Sequence, residues 1–366
     1  MEIIELLQDY WFIQPHPLKS LRLTCKHLEA LCNPLFAEFV SIEAPDRSAL
    51  ELRNELAPKF AKYLKAMTGH VSDHGGELEP FMESVLTAIL ERTVHLRQLS
   101  LRYTSTDTRA HRQLLNAISK LTALEAVSIW KFEYPDPLHC PLHCPPYYLV
   151  QSTFHHRLLN HIPDCHSQRL RELVVSGSTP MHESTFLKLR DTASQLRRLS
   201  ISRCITIETQ GAFGDPQRWA CAGRLEYLFI EECAIHSATI VQQIGAGVFG
   251  PLHTFYIVGC WENSDDSPES AATVWTIPPL NRLHVDQFNN LGMSRLRSIH
   301  AKKVYMRMVQ SGRPLCIGAF RTGTTFPEAA ELHVEEDWDD KDFEGLKRGC
   351  AMRGLTNVER DLESLC

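Results

Sequence analysis

The sequence predicts an α/β solenoid, a parallel inner sheet with outer helices, in which one strand and one helix alternate about every 28 residues. Three observations carry that expectation. A nine-residue pattern, apolar-x-x-apolar-x-apolar-x-x-Cys, occurs as Leu196–Cys204, Leu225–Cys233 and Leu252–Cys260, with starts 29 and 27 residues apart. The same pattern without its cysteine recurs upstream and downstream. Amphipathic helical stretches lie between the copies. Self-similarity at such a period marks a repeat architecture, because one unit alone cannot bury its apolar face.

In chain order, the first forty residues precede the repeats. Ile3, Ile4, Leu6, Leu7, Tyr10 and Trp11 share one face at helical spacing. Gln14-Pro-His-Pro17 stops that helix. Leu18, Leu21 and Leu23 lead into Cys25, Leu28, Leu31 and Leu35, with a break at Asn33-Pro34. Forty residues cannot bury so much apolar surface by themselves, so the segment docks on the next domain or on another protein.

The same segment carries a resemblance. Glu2-Ile-Ile-Glu-Leu-Leu, then Pro17-Leu-Lys-Ser-Leu-Arg-Leu-Thr-Cys25-Lys-His-Leu-Glu-Ala-Leu, then Pro34-Leu-Phe-Ala-Glu-Phe-Val40 resembles an F-box of the fungal type. In that family a small helical F-box module runs into irregular leucine-rich repeats. The resemblance covers residues 1–40 as an F-box-like helical module and most of the remainder as repeats. It implies a Skp1-type adaptor as partner and, through it, a cullin. Ile3, Ile4, Leu7, Trp11, Leu18, Leu21 and Leu28 would then lie on the adaptor. Family members usually open the F-box with a Leu-Pro pair. In the family that pair helps contact the adaptor; here Met1 stands ahead of Glu2-Ile3 in its place, which reads either as a departure bearing on adaptor affinity or as a mis-called start codon.

Phe39-Val-Ser-Ile42 reads as a first strand. Asp46 caps a helix through Leu50, Leu52, Leu56 and Phe60 to about Leu64, with Pro58 a kink or boundary. The His70–Gly76 stretch reads as a loop, and Leu78 to Arg92 as a helix with Phe81, Val85, Leu86 and Leu90 on one face. Strand patterns then start at Leu96, Leu124, Leu170, Leu196, Leu225, Leu252 and Leu280. The 46-residue step from Leu124 to Leu170 holds a Pro/Cys/His-rich insertion at about 131–150. Leu296-x-x-Ile299 follows Leu280 by only 16 residues and is irregular. Ala329-x-x-Leu332-x-Val334 and Leu355-x-x-Val358 close the chain. Helical patterns between strands include Leu114, Leu115 and Ile118; Phe186, Leu187 and Leu189; Ile240, Val241 and Ile244; and Phe343, Leu346 and Cys350. The repeat pattern resembles that of leucine-rich repeats, which implies a horseshoe over residues 41–366. Pattern residues point into the core and the residues between them to the concave face, because strand side chains alternate.

Composition narrows the partners. Lys plus Arg is 38 and Asp plus Glu is 44, a formal charge of −6, so neither nucleic acid nor an anionic membrane is expected. The opening Met1-Glu-Ile-Ile-Glu is acidic and is not a secretory signal. Three of the twelve cysteines share one repeat position, and most read as reduced packing groups of an intracellular protein, cytoplasmic or nuclear. No run of about 18 apolar residues is present to span a membrane.

Chemistry finds little support. No Gly-x-Ser-x-Gly occurs, and the glycines at Gly245-Ala-Gly247 and Arg321-Thr-Gly323 lack the strand and helix flanks of a phosphate loop. No catalytic residue and no cofactor is expected. The insertion places His139, Cys140, His143 and Cys144 within six residues, with His155, His156, His161 and Cys165 downstream. Zinc ligands usually form separated pairs that folding brings together. The run therefore reads as a Pro-rich surface loop, with zinc as the alternative, and no metal site is assigned. The acidic run Glu335–Asp342 favours a helix N-terminus.

The concave positions are more informative. The residues flanking the third pattern position are Ser128 and Trp130, Ser200 and Ser202, Phe229 and Glu231, Tyr256 and Val258, and His284 and Asp286. Large aromatics where the pattern predicts solvent mark a binding surface, unless they stack on one another or lie beneath loops. The target-binding set is Trp130, Ser200, Phe229, Glu231, Tyr256, His284 and Asp286. The function expected from the resemblance is substrate recognition in a Skp1–cullin–F-box ubiquitin ligase, with a target protein held by the repeats. The alternative is a repeat scaffold for protein–protein interaction without ligase association.

Overall fold

The structure of the protein is a computed structural model. It describes residues 26, 39–42, 54, 61–71, 79–93, 95–103, 112–131, 153–177, 183–202, 219–231, 233, 252–258, 276–286, 298–307, 329–334 and 338–360. The fold is α/β. The strands are β1 (Phe39–Ile42), β2 (Ala66–Val71), β3 (Gln98–Tyr103), β4 (Ala126–Lys131), β5 (Glu172–Ser176), β6 (Arg198–Ser202), β7 (Tyr227–Glu231), β8 (Thr254–Val258), β9 (Thr276–Asp286), β10 (Ser298–Arg307), β11 (Glu331–Val334) and β12 (Asn357–Arg360). The helices among the described residues are α1 (Glu79–Leu90), α2 (Arg112–Ser119), α3 (Thr153–His166), α4 (Glu183–Thr192) and α5 (Asp340–Ala351). Sheet order follows chain order from β1 to β12, and the pairings are parallel. The chain divides into two compact units, Met1–Glu172 and Leu173–Cys366.

In the first unit the alternation expected of half-buried strands is observed. Leu99, Leu101, Val127 and Ile129 are buried, and Gln98, Ser100, Ala126 and Ser128 are not. In α1 the buried Val85, Leu86, Ile89 and Leu90 form one stripe, as a helix packed on a sheet requires. Leu114, Leu115, Ala117 and Ile118 do the same for α2, which packs between α1 and α3. His166 is buried at the end of α3, its Nε2 3.1 Å from the Ile118 carbonyl oxygen. Burial lowers its pKa, against the opposing effect of that hydrogen bond.

Two expectations fail in this unit. A strand, β2, lies where a helix end and a loop were expected: Leu64 is buried just ahead of it, and His70 and Val71 belong to it. Its repeat pattern is Leu64-x-x-Met67-x-Gly69, with glycine at the third apolar position. A Cβ at Gly69 would lie 2.7 Å from Leu86 Cδ2, so the helix side chain fills the place the strand side chain leaves. Residues 61–63 form a turn. The rest of the expected 46–64 helix lies outside the described residues except for residue 54.

The backbone repeats as faithfully as the side chains. The Lys65 carbonyl accepts from Arg97 N–H (2.7 Å) and Gln98 N–H (3.0 Å), and the Arg97 carbonyl accepts from Glu125 (2.8 Å) and Ala126 (2.9 Å). In the second unit the Arg197, Glu226 and His253 carbonyls each accept from the same two positions of the next strand. A carbonyl has two lone pairs, and this paired use satisfies the donors at each strand entry. Two ion pairs form between side chains at that same position: Arg171 with Glu125 (3.5 Å) and Arg197 with Glu226 (3.2 Å).

In the second unit Leu196, Leu199, Ile201, Leu225, Leu228, Ile230, Leu252, Phe255, Leu280 and Leu283 are all buried. Cys233 is buried as well, with Sγ 3.2 Å from the Glu231 carbonyl oxygen. Burial pushes the Cys221 thiol up to about 12 and the Cys350 thiol up to about 11, so both stay protonated packing groups. Strand β10 corrects the expected register. Val304 pairs with Leu283 and Ala301 with Leu280, whereas Ile299 pairs with Ile277, ahead of the pattern. The repeat there is Ala301-x-x-Val304-x-Met306, 21 residues after Leu280 and 28 before Ala329. Both strands run upstream of their pattern, and a register shift lies between Ile299 and Ala301. Helix α5 begins as its acids predict: Asp339 Oδ1 accepts from the Asp342 N–H at 2.8 Å. Among the described residues no helix is long and apolar enough to cross a membrane.

Candidate functional site

The parallel register sorts the open face of the strands into rows. In the first unit one row is Ser41, Thr68, Ser100 and Ser128, all hydroxyl side chains. The next row is His70, Arg102 and Trp130, and Trp130 is 36 % exposed.

The second unit is different. The corresponding row runs Ser200, Phe229, Tyr256, His284, Tyr305, His333 and Glu359, so five consecutive strands each place a ring residue at one register position. A one-residue step along the strand would put these on the other face, so the register is what assembles them. Phe229 and Tyr256 stand 5.5 Å apart with planes at 43°, and Tyr227 meets Tyr256 at the same distance and angle. Tyr305 and His333 stack with centroids 4.5 Å apart and planes at 16°. Tyr227, Phe229, Tyr256 and Tyr305 are half-buried, so they rest on neighbouring rings and still present edges outward.

The row toward the strand starts is Arg198, Tyr227, Thr254, Arg282, Lys303, Glu331 and Asn357. The Arg198 guanidinium lies 4.9 Å from the Tyr227 ring centre. Lys303 Nζ pairs with Glu331 Oε2 at 2.6 Å. That hydrogen bond raises the Lys303 pKa and lowers that of Glu331. His333 is held between carboxylates, with Nε2 3.5 Å from Glu331 and Nδ1 3.8 Å from Glu359.

The expected target-binding residues therefore fall into distinct places. Ser200, Phe229 and Tyr256 lie in the ring row, and His284 shares its register. Glu231 lies one row toward the strand ends, where it accepts a hydrogen bond from the Ser202 hydroxyl. Ser202 is itself buried, not solvent-facing. Asp286 is paired in register with Arg307 at the end of β9. Trp130 belongs to the first unit and is not part of the ring row. Tyr227, Arg282, Lys303, Tyr305 and His333 were not anticipated. The first three stand just before the second pattern residue, away from the positions that flank the third.

The expected adaptor contacts Ile3, Ile4, Leu7, Trp11, Leu18, Leu21 and Leu28 lie outside the described residues, as do His139, Cys140, His143 and Cys144. Of the downstream histidines and cysteine, His161 Nε2 and Cys165 Sγ stand 3.6 Å apart on α3. Burial lowers the His161 pKa and raises that of Cys165. No group of three or more His, Cys, Asp or Glu is arranged for a metal among the described residues.

Comparison with protein-family models gives no match, and none of the curated proteins searched matches the chain.

Proposed function

We propose that the chain is a leucine-rich-repeat solenoid with an F-box-like module at residues 1–40. In this reading it recognises substrate for a Skp1–cullin–F-box ubiquitin ligase. The observation that carries this is the run Ser20-Leu-Arg-Leu-Thr-Cys25-Lys-His-Leu-Glu-Ala-Leu31, which resembles the F-box and stands directly ahead of the repeating strands. The parallel strands laid down in chain order, with one reused backbone bonding scheme, support the repeat half of the reading. No chemistry falls to this chain. It holds a target protein near a ubiquitin-loaded enzyme, and the gain is one of proximity.

The test is co-purification of the 366-residue chain with a Skp1-type adaptor. A stable complex that is lost in Leu7→Asp and Leu21→Asp agrees with the proposal. Failure of the unaltered chain to associate overturns it.

A second reading is a protein-interaction scaffold that works without a ligase. The ring row favours it, because that surface is built wholly from strands β7–β11 and needs nothing from residues 1–40. A partner bound at the rings by a chain that ignores the adaptor selects this reading.

A further inference from the structure

We infer that the open face of the second unit binds an extended acidic peptide segment, with an apolar side chain on Tyr227, Phe229 and Tyr256 and a carboxylate on Arg282 and Lys303. This rests on the reading of that face as a protein-binding surface and adds the chemistry of what it binds.

The cations carry the argument. Arg282 and Lys303 are register partners on neighbouring parallel strands. Like charges directly opposite one another destabilise a sheet. Of these two cations Glu331 pairs with the Lys303 ammonium, at 2.6 Å, and it also stands 3.5 Å from His333 Nε2. Among the described residues no carboxylate pairs with the exposed Arg282 guanidinium. Arg198 adds a third cation to the same row, laid against Tyr227. A row with three cations and one carboxylate, Glu331, is complementary to an anionic partner, although the whole chain has a formal charge of −6.

The rings set the other half of the ligand. Tyr256 sits against both Tyr227 and Phe229, which makes a three-ring platform beside the cations. Such platforms anchor apolar or aromatic side chains. Strands stand about 4.8 Å apart and residues rise about 3.3 Å along a strand, which puts the rings about 10 Å from the midpoint of the cation pair. An extended peptide covers that distance in about three residues. The recognised segment therefore carries an aromatic or aliphatic residue and an acidic residue about three positions apart. Nucleic acid is a poorer fit, because its regular backbone charge would face an acidic molecule outside this one row.

The probe is a random-peptide display library selected on the 366-residue chain. Enriched sequences should share the apolar-to-acidic spacing. A synthetic peptide of the enriched sequence should bind about tenfold more weakly or worse to the Arg282→Gln/Lys303→Gln double variant. Phe229→Ala should weaken it too, and the exposed Arg112→Gln should not. Binding should fall as salt rises, a readout that needs no variant to fold. Three results overturn the inference: no enrichment, a basic consensus, or salt-independent binding that the double variant retains. Adaptor association is measured separately. A chain that binds the adaptor but selects no acidic peptide removes this inference alone.

Discussion

Gly69 and Leu86 divide one volume between them. A Cβ on the glycine would stand 2.7 Å from Leu86 Cδ2 and 3.3 Å from Cδ1, and Leu86 is fully buried. Gly69→Ala is expected to destabilise by about 1–3 kcal/mol through overpacking. Adding Leu86→Ala to it should cost less than the sum of the two single changes, because the contact couples them. Urea unfolding of the four proteins in the cycle measures this, and strict additivity would show that the two residues do not compete.

The register of β10 makes an equally sharp prediction. Val304 is fully buried between Leu283 and Leu332 in register, and Lys303 beside it faces outward. Val304→Asp should lower stability by about 3 kcal/mol or more, since it buries a charge without a partner. Lys303→Asp should leave the core intact. Thermal unfolding of both variants decides between this register and one centred on Ile299, which would make Val304 the tolerant position.

Stability should depend on pH through His166. Its folded pKa is lowered, first by burial, below the ordinary 6.5. As pH falls through 6.5 the unfolded chain takes up a proton that the folded chain refuses, so stability is present at higher pH and declines on acidification. The loss reaches at most about 1.4 kcal/mol per pH unit for one such group. The melting temperature should fall between pH 7.5 and pH 5.5, and His166→Gln should flatten that slope. An unchanged slope would mean that His166 binds its proton equally well in the folded and unfolded chain, against the lowered folded pKa.

Thiol labelling follows burial. Cys221, Cys233 and Cys350 are buried, and Cys165 is exposed on α3. With the Cys221 thiol near 12 and that of Cys350 near 11, neither forms thiolate at pH 8. Among these four, Cys165 should react first with iodoacetamide, followed by mass spectrometry. Rapid native-state labelling of Cys221 would contradict its place in the core.

Strands with three bulky apolar residues were legible in the sequence, because Leu199 and Ile201 or Leu228 and Ile230 announce a buried face by themselves. Strand β2 was hidden because its third core position is Gly69, with the missing volume supplied by Leu86 from another element. Strand β10 was hidden because Ala301 is too small to signal a core position and the larger Ile299 lies two residues upstream, beyond the register shift. The surface followed the same logic. Phe229, Tyr256 and His284 could be placed by counting from clear patterns. Tyr305 depended on the register that Ala301 obscured. Arg282 and Lys303 become a pair only when two strands are laid side by side, which no single repeat reveals.

Titration of the 366-residue chain with a purified Skp1-type adaptor in a calorimeter distinguishes a ligase subunit from a free scaffold. Saturable one-to-one binding is expected, abolished by Leu7→Asp and unchanged in Arg282→Gln/Lys303→Gln. No heat of binding from a folded chain would contradict it.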